Sequence, residues 1–237
     1  MTTVVLLRHG RTSSNATGVL AGRSSGVGLD DTGKAQAARA AERLASVNLA
    51  AIVSSPLRRC RQTAASLIAG PPGRTVSFDR GIIECGYGDW TGRKLSELAK
   101  DPLWKMVQTQ PSAVRFPGGE SMIEMSARAL DTIHAWDAKL SAEHGESAVW
   151  VAVSHGDVIK SILAAALGMH LDAFQRIMVD PASTSVIRLG SNRPYVLTMN
   201  SNVGDLGPML APPPKKGRAR RARPADAAVG GGTGASA

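Results

Sequence analysis

The sequence predicts an α/β fold, a three-layer α/β/α arrangement with a mostly parallel sheet and an antiparallel edge, from three observations. Two apolar runs, residues 4–7 and 149–153, are continuous rather than alternating, as expected of strands buried on both faces. Strand-like and helix-like segments alternate along the chain, the pattern of right-handed βαβ units. Residues 184–189 and 195–199, separated by a segment containing Gly190 and Pro194, read as a closing hairpin.

The elements follow in order. The first strand, Val4-Val5-Leu6-Leu7, stops at Arg8-His9-Gly10, and an opening loop leads to an Ala-rich helix from about residue 32 to 45, capped by Asp31 or Thr32. Residues 51–55 form a second strand. Pro56 suits the first turn of the helix that follows it to about residue 69, where Pro71-Pro72-Gly73 breaks it. Residues 75–78 give a third strand. Residues 81–119 are irregular, with short helical pieces near 95–99 and 103–107, and read as an excursion that selects substrate. A long helix spans about 120–143, with Met122, Met125, Ala129, Ile133, Trp136 and Leu140 on one face. The strand at 149–153 ends in Ser154-His155-Gly156 and passes into a helix running to about residue 167.

Composition narrows the function classes. No apolar run approaches the ~20 residues that span a bilayer, and the N-terminus carries no secretory pattern, so a soluble, cytoplasmic protein without membrane contact is expected. Cys60 and Cys85 have neither a redox nor a metal-ligand spacing and read as packing residues. The net charge of +9 is uneven: residues 211–237 carry six cations (Lys215, Lys216, Arg218, Arg220, Arg221 and Arg223) against Asp226, leaving only +4 for the rest. The chain is therefore read as one catalytic domain, 1–210, and a disordered basic Pro/Gly/Ala-rich tail, 211–237, which is a candidate contact for polyanions.

The polar residues at strand ends point to phosphoryl chemistry. Such a reaction needs fixed positive charge on the phosphoryl oxygens, an in-line nucleophile and a proton donor for the leaving oxygen. Arg8 adjoins His9, and Arg58, Arg59 and Arg61 open a helix after a strand. Arginine suits phosphate because its planar fork matches the oxygens and keeps its charge. Glu84 lies beside Gly86-Tyr87-Gly88-Asp89-Trp90, a setting in which a carboxyl can stay partly protonated and act as an acid. Two parallel strands ending in His-Gly could bring His9 and His155 over one pocket. Two histidines and a carboxylate could instead hold a metal, but they lack close spacing and arrive with arginines, which repel a cation. No metal and no cofactor is expected.

Arg8-His9-Gly10-Arg11-Thr12 with Asn15, Ser54-Ser55-Pro56-Leu57-Arg58-Arg59 with Thr63, Glu84 with the glycine-rich stretch to Gly92, Gly118-Gly119-Glu120-Ser121, and Ser154-His155-Gly156 occur in one order. Together they resemble the histidine phosphatase superfamily, in its phosphoglycerate-mutase-like branch. The resemblance implies a phosphoglycerate-mutase-like fold and makes His9 the nucleophile that becomes phosphohistidine. It implies that Arg8, Arg59 and a protonated His155 hold the phosphate, with Asn15, Gly22 and Gly156 beside the substrate, and that Glu84 is the proton donor. Arg59 rather than Arg58 takes the pocket role, because the family's arginine directly precedes a small residue, here Cys60. Arg58, Arg61, Arg11 and Arg23 are then surface or structural residues.

The activity this implies is metal-independent hydrolysis of phosphomonoesters. A small phosphorylated molecule is the expected partner, and a second copy in a homodimer is a further candidate. The runner-up is a bisphosphoglycerate-dependent phosphoglycerate mutase or another phosphomutase. A third reading is a binding protein acting through the basic tail. Hydrolysis ranks first because Arg93, Lys94, Lys100, Lys105 and Arg115 are scattered at helical spacings rather than grouped for a second anion.

Overall fold

A computed structural model describes residues 2–69, 74–190 and 192–202. The tail assigned to 211–237 lies outside the described residues. Strand β1 (Thr3–Arg8) sits inside the sheet, and its Val4, Val5, Leu6 and Leu7 are fully buried. Successive strand side chains point to opposite faces, so burying all four demands cover on both sides. The other strands are β2 (Leu49–Ser54), β3 (Val76–Phe78), β4 (Val149–Ser154), β5 (Thr184–Arg188) and β6 (Tyr195–Ser201). Their order is β3-β2-β4-β1-β5-β6. The pairs β3–β2, β2–β4 and β4–β1 are parallel, whereas β1–β5 and β5–β6 are antiparallel, as the hairpin requires.

The helices are α1 (Ser13–Thr17), α2 (Asp31–Arg43), α3 (Arg58–Ile68), α4 (Leu95–Leu98), α5 (Pro102–Thr109), α6 (Met122–His144) and α7 (Gly156–Ala166). Val5 and Leu7 of β1 pack with Ala40 of α2 and Cys60, Ala64 and Leu67 of α3. Val4 and Leu6 join a larger cluster with Met122, Met125, Ala129 and Ile133 of α6 and Val158 and Ile162 of α7. The sheet is thus sandwiched between two helical layers. The methionines of α6 belong to the core, and both cysteines are free and buried in it. Among the described residues no helix is long and apolar enough to cross a membrane.

Three local features differ from the sequence reading. Helix α1 lies within the expected loop; five residues are too few for an apolar period, and a reciprocal cap between Thr12 and Asn15 holds it instead. The cap of α2 is Asp30, whose side chain accepts from the Gly33 amide, so Asp31 falls inside the first turn. Pro56 precedes α3 rather than opening it, with Leu57 as the capping residue. A proline keeps the residue before it extended, which here is the buried Ser55 that later meets His155.

The loop after β1 is seated by backbone contact. A Cβ built on Gly10 would lie 2.4 Å from the Gly33 carbonyl oxygen, and one on Gly33 would lie 1.9 Å from that of Arg11. Only glycines let the first turn of α2 press against the segment that follows His9.

The core assignment is testable within α6. Ile133 is 1% exposed and Ile123 53% exposed. Replacing Ile133 by alanine is expected to cost about 2–5 kcal/mol in urea unfolding. The same change at Ile123 is expected to stay within about 0.5 kcal/mol.

Candidate active site

The two His-Gly strands are direct neighbours, and their register pairs Arg8 with Ser154. His9 and His155 therefore leave the same edge side by side, with ring centroids 5.3 Å apart. This is the C-terminal edge of parallel strands, where α/β sheets bind ligands. Arg8, His9, Asn15, Gly22, Arg59, Glu84 and Gly156 all line one cavity of about 330 Å³ there. His155 is fully buried and stands behind this wall.

Arg59 joins these groups. It is 1% exposed, and its Nε donates to His9 Nε2 at 3.2 Å. Its Nη2 donates to the Gly22 carbonyl at 2.8 Å and faces His155 Nδ1 at 3.2 Å. Gly22 contributes through that carbonyl: its φ is +50°, and an added Cβ would meet Thr91 Oγ1 at 2.6 Å. Arg8 is likewise anchored at one end, Nη1 donating to the Val179 carbonyl at 2.6 Å. Two buried guanidinium nitrogens, Arg8 Nε and Arg59 Nη1, have no protein partner. Buried donors are ordinarily satisfied, so this pair reads as an anion site. The first turn of α7, opening at Gly156, adds its amide dipoles nearby.

The protonation of both imidazoles follows from their surroundings. His9 Nδ1 lies 2.8 Å from the Gly10 carbonyl oxygen, an acceptor, so Nδ1 carries the proton and Nε2 keeps its lone pair. Desolvation, then Arg59 and Arg8, hold His9 well below the usual histidine range. His155 is lowered too, by desolvation, then Arg59 and His9. Since Arg59 donates toward Nδ1, His155 carries its proton on Nε2 and gives it to Ser55 Oγ at 2.8 Å. The protonated His155 expected from sequence is thus neutral in the protein alone, because a third cation beside two guanidiniums is unfavourable. A phosphate dianion nearby would push both imidazoles upward.

Glu84 shows the opposite shift. Its Oε2 lies 3.7 Å from His155 Nδ1 and 3.9 Å from Arg59 Nη2, and its Oε1 accepts from the Cys85 amide at 3.0 Å. Desolvation raises it to about 7; Arg59 opposes this rise, and the negative charge of Asp157 reinforces it. Glu84 therefore exchanges its proton near neutrality. Arg59 Nη2 lies within 4 Å of both Glu84 Oε2 and His155 Nδ1, so a fixed cation already adjoins the space a metal would share with them.

Several residues that build this site were given no role from sequence, although Tyr87 and Glu120 stand in the motifs quoted above. Arg128 of α6 donates to the Gly81, Ile83 and Glu84 carbonyls at 2.7, 2.8 and 3.1 Å, which clamps the segment carrying Glu84. Glu120 receives Arg128, Arg23 and the Gly86 amide, completing the clamp. An arginine three residues after core Met125, at the edge of an apolar stripe, was the available signal. Tyr87 donates to Asp157 at 2.7 Å, a pairing across 70 residues that no local spacing announces. Arg11 pairs with Asp30 and Arg61 lies over Phe78, in keeping with structural roles.

Known proteins resemble this chain in sequence and fold. The glucosyl-3-phosphoglycerate phosphatase of Mycolicibacterium vanbaalenii is 34% identical over 177 residues, 71% of this chain and 76% of that protein. The probable phosphoglycerate mutase GpmB of Erwinia tasmaniensis is 32% identical over 187 residues, covering 78% and 84%. A mycobacterial glucosyl-3-phosphoglycerate phosphatase solved in complex with VO3 superposes with a TM-score of 0.74 at 27% identity, covering 84% of this chain and 99% of that one. The family model for branch 1 of the histidine phosphatase superfamily matches residues 4–202, from the first core strand to the end of the described fold. This chain therefore belongs to the histidine phosphatase superfamily, branch 1.

Proposed function

We propose that the protein hydrolyses phosphomonoesters through a phosphohistidine at His9, without a metal. The observation that carries this reading is the pair of partnerless guanidinium nitrogens, Arg8 Nε and Arg59 Nη1, beside a neutral imidazole whose unprotonated Nε2 faces Arg59. The phosphate oxygens take Arg8 and Arg59, aided by Asn15 and the Gly156 turn. Asn15 Oδ1 already accepts from the Thr12 amide and hydroxyl, so its amide NH₂ is the group turned to substrate use. His9 Nε2 attacks phosphorus as the ester P–O bond breaks, and Glu84 passes its proton to the departing oxygen. The Nδ1–H bond to the Gly10 carbonyl steadies the cationic ring that forms. Glu84, now a carboxylate, takes a proton from water as that water attacks phosphorus and releases His9 and inorganic phosphate. Dividing one displacement into two is the gain of covalent catalysis. His155 acts from behind, holding Arg59 and facing Glu84.

Water rather than a second alcohol receives the phosphoryl group in this reading. A mutase must grip a second anionic end while its intermediate turns, which calls for converging cations. Arg93, Lys94, Lys100, Lys105 and Arg115 are all exposed, and none lines the cavity.

Three measurements test the proposal. Enzyme mixed with labelled substrate and quenched in alkali is expected to carry an acid-labile phosphate that is missing in His9→Ala, with His155→Ala keeping residual turnover; an acid-stable adduct would sink the scheme. For an alkyl phosphate, kcat is expected to hold steady below about pH 7 and fall above it as Glu84 loses its proton. Glu84→Gln should lose roughly 10²–10⁴-fold at low pH and show no such limb, and Asp157→Asn should move the limb to lower pH. Exhaustive chelation is expected to leave kcat within about twofold, since arginines supply the charge a divalent ion would; restoration of lost activity by one divalent ion would overturn this.

A further inference from the structure

The cavity continues past the phosphate end. Its walls are Val19, Leu20, Trp90, Leu95, Trp104 and Phe116. Trp90 and Trp104 are stacked, with centroids 6.1 Å apart and planes 26° from parallel, and Phe116 meets Trp90 edge-on at 5.3 Å. Trp90 and Phe116 are each 2% exposed, whereas Leu95 at the rim is 40% exposed. A rigid aromatic floor with an open aliphatic rim favours apolar contact area.

Charge in this extension is balanced within the protein. Its one lysine, Lys160, bonds Gln175 Oε1 at 3.1 Å, lies 3.6 Å from Asp157 Oδ1 and sits over the Phe174 ring. The carboxylate of Asp157 faces the same space. A second anionic group on the substrate would meet apolar walls, a like charge and a lysine already engaged, with only the neutral side chains of Thr12, Ser14, Gln108 and Gln175 as further polar lining and, among the described residues there, no uncommitted cation. Burying a carboxylate without a partner is strongly unfavourable.

We infer that the preferred substrates are monophosphates whose organic part is uncharged and apolar, aryl or bulky alkyl, rather than phosphates bearing a carboxylate. This rests on the phosphatase reading and sets the chain apart from relatives whose names carry phosphoglycerate. It assigns Trp104 and Leu95 as specificity-determining residues.

The test compares 2-phenylethyl phosphate with 3-phosphoglycerate, both esters of alkyl alcohols, so that leaving-group chemistry does not decide the outcome. The expected kcat/KM ratio favours the phenylethyl ester by at least about tenfold, given the cost of an unpaired carboxylate. Trp104→Ala should lower kcat/KM for the phenylethyl ester roughly three- to tenfold, the worth of an aromatic contact, and lower that for 3-phosphoglycerate by less, so that the ratio narrows. Trp104 is half-buried, so the second variant is Leu95→Lys at the exposed rim, which should raise the 3-phosphoglycerate value and narrow the ratio. Equal or better turnover of 3-phosphoglycerate by the unaltered protein, lost selectively in Lys160→Met, would overturn the inference and leave the phosphatase reading standing. Failure to hydrolyse either ester, with no labelled adduct, would instead strike the phosphatase reading itself.

Discussion

The parallel register of β1 on β4 is the constraint from which the site follows. Because Arg8 pairs with Ser154, the next residue on each strand is a histidine, and both leave the sheet at one edge. The backbone enforces this arrangement: the His9 amide bonds the Ser154 carbonyl at 3.0 Å, and the Ala182 amide bonds the His9 carbonyl at 3.1 Å. A slip of one residue would turn every side chain of β1 to the other face and send one imidazole away from the other. The two faces of β1 pack against different helices, Val5 and Leu7 on α2 and α3 and Val4 and Leu6 on α6 and α7, so a slip would exchange side chains between two distinct packings, and the aliphatic run and the reactive edge depend on one another.

Burial then sets the chemistry of each group. The same desolvation that keeps His9 neutral holds the Glu84 proton near neutrality, so the proposed nucleophile and acid are each in the form the mechanism needs over the same pH range. Arg59 works against Glu84 in this respect, and Asp157 offsets part of that effect. The clamp of Arg128 and Glu120 is what makes the balance geometric as well as electrostatic. It ties the carbonyls around Glu84 to α6, which fixes the backbone from which the carboxyl reaches toward Arg59 and His155.

Much of this was legible in the sequence. The aliphatic runs and the His-Gly endings mark strands and their ends by composition alone, whereas the break expected at residues 71–73 lies outside the described residues. The residues expected at the pocket converge, with His155 one layer deeper than expected. The Glu84 environment could be guessed from glycines and aromatics around it. What stayed hidden depends on distance in space. The Tyr87–Asp157 bond and the hold of Arg128 on Gly81 join segments that share no local pattern. Likewise, helical spacing could not say whether the cations of residues 93–115 converge; only the packing of α4 and α5, which turns Leu95, Trp104 and Val107 inward, decides that they do not. Helix α1 was missed because a five-residue helix held by its cap leaves no periodic trace.

The bond from Arg59 Nε to His9 Nε2 has a consequence for what the site ignores. In the proposed mechanism that ring nitrogen attacks phosphorus, yet its lone pair is already engaged by a guanidinium. A phosphate dianion would bring its own claim on Arg59 and so uncover the nitrogen as it arrives. An acylating or alkylating reagent without anionic oxygens makes no such claim and meets an imidazole that is sheathed. The guanidinium thus acts as a guard on the nucleophile as well as a grip on the substrate, and the arrival of the right charge is what opens it.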